Sequence, residues 1–164
     1  MTNVRRWLLQ ISTERTRLSA STLDLLASTT RLSHSFSPLL LAYAPPLLRL
    51  LCRTNKLYIQ RASATLVAVI THTKPVALAT HMANEWKQEG GKSASYRIAC
   101  AELLVALVNV AAEDEEFRTK LEARMDEVEW LLKHVATDRE AKARAEAKKV
   151  WEVYKDTWPE RVPR

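Results

Sequence analysis

Residues that interrupt helices are scarce in this sequence. Among 164 residues there are only two glycines and six prolines, so the chain offers few of the tight turns that join β-strands. Hydrophobic residues make up 47% of the chain, a share that argues against disorder and that, at this length, can fill a substantial core. These numbers indicate an all-α protein, and the length favours a single domain over residues 1–164.

Cysteines and long apolar runs are also few. Cys52 and Cys100 are the only cysteines, and each stands in an apolar helical stretch, so we interpret both as small buried residues of a reducing compartment. The longest apolar run, Pro38 to Leu48, is far shorter than the ~20 residues that a membrane-spanning helix needs. We therefore expect no membrane-spanning segment.

The sequence lacks the motifs of catalysis and cofactor binding. It has no glycine-rich phosphate loop, no paired-histidine metal motif and no nucleophile elbow. His81 and Glu85, four residues apart, are interpreted as a surface contact on a helix. The acidic stretch from Glu113 to Phe117 is interpreted as a helix start, where carboxylates favour the positive end of the helix dipole. We expect no enzyme activity, no cofactor and no metal site.

Acidic residues are rare in the first half of the chain. Residues 1–75 contain ten lysines and arginines but only two acidic residues, Glu14 and Asp24, whereas the rest of the chain contains 15 basic and 17 acidic residues. A half with this charge favours an acidic partner, such as a nucleic acid, an anionic membrane or an acidic protein surface. No aromatic platform for stacking bases accompanies these cations, so nucleic acid ranks last among the partners considered.

The sequence contains an internal repeat that is marked by arginines. Four segments align on an arginine that is followed three positions later by a small residue and six positions later by an aliphatic one. The arginines are 36 to 47 residues apart, close to the ~40 to 47 residues of HEAT and armadillo repeats. We expect these arginines to bond to turn carbonyls or to an acid of the adjacent repeat, as buried guanidinium groups must. The four are Arg17, Arg61, Arg97 and Arg144.

The repeat predicts a HEAT/armadillo-like α-solenoid of about four helix pairs, with repeats at approximately residues 1–33, 34–73, 74–112 and 113–158. The second helix of the third pair, Ile98 to Ala112, is apolar nearly all round and must be covered on several sides. Pro45 and Pro46 should kink or split the helix that contains them. The first helices of the pairs are expected at roughly Asn3–Ile11, Pro38–Arg53, Val76–Gln88 and Glu115–Ala136.

Polar turns join the two helices of each predicted pair. They are Ser12–Arg17, Arg53–Lys56, Glu89–Ser95 and Thr137–Lys142, and each contains a lysine or an arginine. Equivalent turns of stacked helix pairs line up along one edge, so we expect these four to form a basic edge, here called the turn ridge. Gly90 and Gly91 suit a turn that protrudes or adapts. The alternative is that the basic turns are simply solvated.

Two stretches resemble a known family. "LLCRTNKLYIQRASATLVAVITHT" is similar to part of the TOG domains of the CLASP family of microtubule-associated proteins, and "VATDREAKARAEAKKVWEVYKDTWPERV" is similar to their last repeat. The resemblance covers most of the chain from about Leu39 onward. It implies a flat paddle of HEAT repeats whose intra-repeat turns bind tubulin. Carried over by position, the tubulin-binding residues implied here are Arg53, Asn55, Lys56, Lys92, Ser95 and Arg139.

The resemblance implies a non-enzymatic module that binds tubulin or microtubules, in the cytoplasm on the cytoskeleton and the spindle. TOG domains have six repeats, so a chain with about four is expected to correspond to the C-terminal two thirds of such a domain. A second hypothesis is a HEAT scaffold that docks another helical protein on an exposed N-terminal edge, where Trp7, Leu8 and Ile11 form an apolar stripe.

Overall fold

The computed structural model describes residues 16–30 and 40–162, and every regular element within these two ranges is helical. The predicted all-α, solenoid-like fold is confirmed. The first predicted helix, Asn3–Ile11, lies outside the described residues. The α-helices are α1 Thr16–Thr30, α2 Leu40–Leu50, α3 Lys56–Thr73, α4 Leu78–Gln88, α5 Ala94–Glu113, α6 Glu115–Glu122, α7 Met125–Ala136 and α8 Ala141–Thr157, with short 3-10 turns at Gly90–Lys92 and Pro159–Arg161.

These helices form two layers. In one layer α1 packs on α3, α3 on α5 and α5 on α8; in the other, α2 packs on α4 and α4 on α7. Consecutive helices also pack across the layers, as in the pairs α2 with α3 and α7 with α8. Contacts between neighbours in sequence and between adjacent pairs are the pattern that stacked helix pairs produce. The proposed repeat boundaries stay a prediction.

Helix α5 lies at the centre of the core. Ten of its twenty residues are buried, among them Leu103, Leu104 and Leu107, because α3, α7 and α8 pack against it. Its length and composition would suffice for a membrane span, but just over half of its most apolar stretch is buried inside this fold, as in the core helix of a protein. The prediction that Ile98 to Ala112 is covered on several sides is confirmed.

Two predicted first helices differ from the structure. Pro45 and Pro46 do not split α2, which is helical from Leu40 to Leu50 with both prolines inside it; the kink that their missing N–H groups and ring clashes favour stays a prediction. Conversely, the predicted helix Glu115–Ala136 is two helices, α6 and α7. With the break between them, both helices bury apolar residues. Asp126 and Glu127 in the first turn of α7 favour a new helix N-terminus there.

The two cysteines are free thiols in different surroundings. Cys100 is fully buried in the core, as predicted, and burial raises the pKa of its thiol. Cys52 is only partly buried, because it lies where α2 ends and the chain turns toward α3. Partial burial, and to a smaller extent the Glu85 carboxylate, still raises the pKa of the Cys52 thiol to about 11. Both thiols are therefore protonated at neutral pH.

Candidate functional site: the turn ridge

Three of the predicted turns lie within the described residues, and each joins a helix of one layer to a helix of the other. Arg53–Lys56 leads from α2 to α3, Glu89–Ser95 from α4 to α5, and Thr137–Lys142 from α7 to α8. Side chains from all three turns line one shallow groove of about 240 Å³: Lys56, Ser95 and Lys142. The three turns therefore lie side by side along one edge. The first predicted turn, Ser12–Arg17, falls mostly outside the described residues.

The turn before α3 is held by its asparagine. Asn55 is the N-cap of the helix, and its Oδ1 accepts a hydrogen bond of 3.0 Å from the backbone N–H of Leu57. Arg53 and Lys56, on either side, are exposed, and neither makes an ion pair with a residue that the structure describes. Asn55 therefore fixes the backbone, while the two cations beside it face solvent.

The turn before α5 is tightly packed, contrary to the expectation of a protruding, adaptable loop. A Cβ atom on Gly90 would come within 2.5 Å of the Tyr96 ring, and one on Gly91 within 2.7 Å of the Trp86 carbonyl oxygen. Neither glycine has a positive φ. Both glycines are therefore required by close approach rather than by backbone freedom, which the sequence could not reveal because it does not show the neighbours.

Two predicted contact residues follow in this turn. The Lys92 Nζ lies 3.2 Å from the Glu89 carboxylate, an exposed pair that neutralises little of the lysine's charge in water. Ser95 is half-buried and lines the groove. Ser93, which sequence reasoning did not select, is the N-cap of α5, and its hydroxyl accepts from the backbone N–H of Tyr96 at 3.3 Å.

The turn before α8 exposes Arg139 and buries its neighbour Asp138. The Arg144 Nη1 donates to the carbonyl oxygens of Asp138 and Arg139, at 2.7 and 2.8 Å. Asp138 Oδ1 accepts from the backbone N–H of Glu140 at 2.8 Å. These bonds set the path of the turn, so Arg139 projects from a fixed backbone.

A buried ion pair joins the turn before α5 to the turn before α8. The Arg97 Nε donates to Asp138 Oδ2 at 2.7 Å, with 6% and 4% of the two side chains exposed. The Arg97 Nη1 also donates to the Gly91 carbonyl at 3.0 Å. One guanidinium therefore holds both turns, and we call this contact the Arg97 brace.

The bonds expected of the aligned arginines are present at three positions, although only Arg97 is buried, whereas Arg61 is half-buried and Arg144 is exposed. Arg97 and Arg144 bond to turn carbonyls, and Arg97 also pairs with an acid of the adjacent pair. Arg61 pairs with Asp24 of the preceding helix α1 at 3.1 Å. The side chain of Arg17 lies outside the described ones.

Inside the groove one carboxylate faces the cations. Lys142 Nζ lies 2.8 Å from Glu102 Oε1, and the Ser63 hydroxyl donates to Glu102 Oε2 at 3.4 Å. The hydrogen bond that Lys142 donates to the Glu102 carboxylate, and then the charge of Glu102, raise the pKa of Lys142. Lys142 therefore stays charged and ion-paired with Glu102, with 62% of its side chain exposed. Sequence reasoning missed Glu102 because it lies nine residues beyond the N-cap of α5, and only the packing of α8 against α5 brings Lys142 to it.

The other charged residues considered from the sequence serve the fold. Glu85 is buried and lies 3.6 Å from Arg49, so its interpretation as half of a surface contact with His81 is wrong. Asp114 is the N-cap of α6, accepting from the Phe117 N–H at 2.7 Å, which confirms the helix start predicted there. Within the described ranges no three His, Cys, Asp or Glu side chains cluster closely enough to hold a metal ion.

A two-layer stack of helix pairs, with hydrogen-bonded polar turns along one edge, defines the class of protein: an α-solenoid with a polar turn edge. The chain belongs to the CLASP N-terminal family, whose model matches residues 3–163, and the HEAT and TOG description is compatible with that match. The family has a general microtubule-associated role in the cytoplasmic cytoskeleton and is not a known enzyme family. Comparison with curated protein sequences gives no match.

Proposed function

We propose that this chain is a non-enzymatic tubulin-binding module that contacts the acidic surface of tubulin through the turn ridge. The observation that carries the proposal is the common groove: residues of three successive turns, Lys56, Ser95 and Lys142, line it together. Tubulin contact through this edge would bring the chain to microtubules and the spindle. The family's general microtubule association supports the choice of partner.

The charges available for contact are fewer than the sequence offers. Lys142 is paired with Glu102 in the groove, whereas Lys92 has only a solvent-exposed partner. Arg53, Lys56 and Arg139 are exposed and form no ion pair within the part of the chain that the structure describes. The positive field that would steer an acidic partner toward the turn ridge therefore comes from Arg53, Lys56, Lys92 and Arg139.

Rigidity supports the same proposal. The turns are fixed before any partner arrives, by the Asn55 and Ser93 caps and by the Arg97 brace. A preorganised surface loses little conformational freedom on binding, so more of its contact energy appears as affinity. The proposed site is therefore a fixed row of cations rather than a set of loops that must order on contact.

The proposal is tested by reversing two ridge charges, Lys56→Glu with Lys92→Glu. Lys56 is the first residue of α3, where a carboxylate is favoured by the helix dipole, so the fold is expected to persist. The matched control is Lys120→Glu with Lys148→Glu, which gives the same change of net charge away from the ridge. Like Lys92, Lys120 pairs with a glutamate on its own helix turn, and like Lys56, Lys148 is exposed.

The expected result is that the ridge variant loses co-sedimentation with microtubules and co-elution with soluble tubulin, whereas the control retains both. Helicity and melting temperature should match the wild type in both variants. Unaltered pelleting of the ridge variant would contradict the proposal. Equal loss in both variants would show that net charge, and not the ridge, drives the association. The two assays also distinguish preference for free tubulin from preference for the lattice.

A further inference from the structure

Three large apolar side chains stand out as exposed among the described residues: Leu57 at 53%, Leu25 at 44% and Trp151 at 38%. Leu25 and Trp151 lie well inside α1 and α8, about 13 and 15 Å along the helix axis from the first residue of each helix. Leu57 is the second residue of α3 and directly follows the turn Arg53–Lys56. Only Leu57, the most exposed of the three, stands at the turn ridge.

The position of Leu57 is fixed by its backbone. Its N–H donates to the Asn55 side chain at 3.0 Å, and the N–H of Ile59 donates to the Asn55 carbonyl at 3.2 Å. One helical turn further, Arg61 is tied to Asp24 of α1 at 3.1 Å. Turning Leu57 toward the core would require this capped first turn to unwind. The fold therefore holds an aliphatic side chain in water at the edge.

The surroundings of Leu57 have the composition of an interface. Arg53 and Lys56, its nearest charged neighbours in the chain, are both exposed. An exposed apolar side chain that follows two exposed cations in the same turn resembles the arrangement in which a partner covers the apolar centre and the charges form the rim. Single exposed leucines are common on protein surfaces, so the position on the ridge, and not the exposure alone, carries the inference.

We propose that Leu57 is the apolar anchor of the ridge and is buried in an apolar depression of the acidic tubulin surface when the two bind. This inference rests on the proposed function. Covering a half-exposed leucine should strengthen binding by about fivefold to tenfold. This contribution should be insensitive to salt, because it comes from apolar burial, whereas the contribution of the lysines should decline as salt screens them.

The test compares Leu57→Ala with Leu25→Ala and with Lys56→Glu by measuring the Kd for soluble tubulin at two salt concentrations, about 50 and about 200 mM. Alanine is the better helix former at both leucine positions, so both variants should fold. We expect Leu57→Ala to weaken binding about fivefold to tenfold at both concentrations, Leu25→Ala to leave the Kd unchanged, and the deficit of Lys56→Glu to shrink at the higher salt.

The outcomes separate the two proposals. If Lys56→Glu abolishes binding and Leu57→Ala changes the Kd less than about twofold, the ridge is purely electrostatic and the anchor is refuted while the proposed function stands. Equal losses in Leu57→Ala and Leu25→Ala would refute the anchor as well, because the effect would not be local. If the wild type itself does not bind tubulin, the proposed function fails and the anchor fails with it.

Discussion

Removing the carboxylate of the Arg97 brace should be the most damaging single change at the ridge. In Asp138→Ala the Arg97 guanidinium stays inside the protein without its 2.7 Å partner. Breaking a buried pair by removing one member typically costs about 3–5 kcal/mol, because an unpaired charge is left behind. Glu140 lies 3.8 Å from the Arg97 Nη2 and is partly exposed, so it can compensate in part. We therefore expect the lower end, about 3 kcal/mol.

The assay is urea unfolding followed by circular dichroism, with thermal melting as a second measure. For a chain of this size a loss of about 3 kcal/mol corresponds to a fall in Tm of roughly 10 °C. Combining Asp138→Ala with Arg97→Met tests the cause, since removing the charge as well should cost less than the sum of the two single changes. A coupling of about 1–3 kcal/mol is expected between contacting groups.

Two results would refute this reasoning. A loss below about 1 kcal/mol for Asp138→Ala would mean that water or Glu140 fully replaces the lost carboxylate. Strict additivity of the two single changes would mean that Arg97 and Asp138 stabilise the fold independently. Asp138→Asn serves as the control for shape: it keeps an oxygen that can accept from the Glu140 N–H, but it replaces the oxygen that accepts from Arg97 with an NH2 group that can only donate, so it should also destabilise the fold.

Two further predictions concern the helix caps. Asn55→Asp keeps an oxygen that can accept from the Leu57 N–H, so the melting temperature should be unchanged or slightly higher. Tubulin affinity should fall, because a negative charge enters the turn ridge. Microtubule pelleting and thermal melting of the same sample test both expectations. The Lys74 hydrogen bond holds the pKa of Asp114 below its usual range, so the carboxylate contributes stability above the unfolded-state pKa, which is lost as the pH falls through the folded-state pKa. The urea concentration at the midpoint of unfolding should therefore fall less between about pH 7 and about pH 3 in Lys74→Met than in the wild type. An equal fall in both proteins would exclude this pair as a source of the pH dependence of stability.

Much of this fold could be predicted from the sequence because the features of a helical repeat are visible in short stretches of the chain. Scarce glycine and the aligned arginines indicated stacked helices, and Arg61, Arg97 and Arg144 make the kind of bonds that their shared position suggested. The break at residues 123 and 124 could not be predicted. No glycine or proline marks it, and it follows from how Phe117 and Leu121 on one side and Met125 and Val128 on the other reach a common core.

For the candidate site, the sequence indicated which turns carry the cations, and their assignment as tubulin contacts stays a proposal. It did not indicate which cations are available. Asn55 is occupied in capping and Lys142 is paired with Glu102 across two helices. A sequence lists charges along the chain, whereas pairing depends on which helices become neighbours.

By itself, then, the sequence determined the helical class, the repeat and the basic turns, because helix periodicity, turn composition and charge are properties of short stretches. Only the tertiary structure decided that three turns share one groove, that Asp138 is buried against Arg97, and that Leu57 is left exposed at the edge. These features join residues about forty positions apart or depend on the absence of a covering neighbour. Both are decided by how the two layers pack, and no short stretch of sequence contains that information.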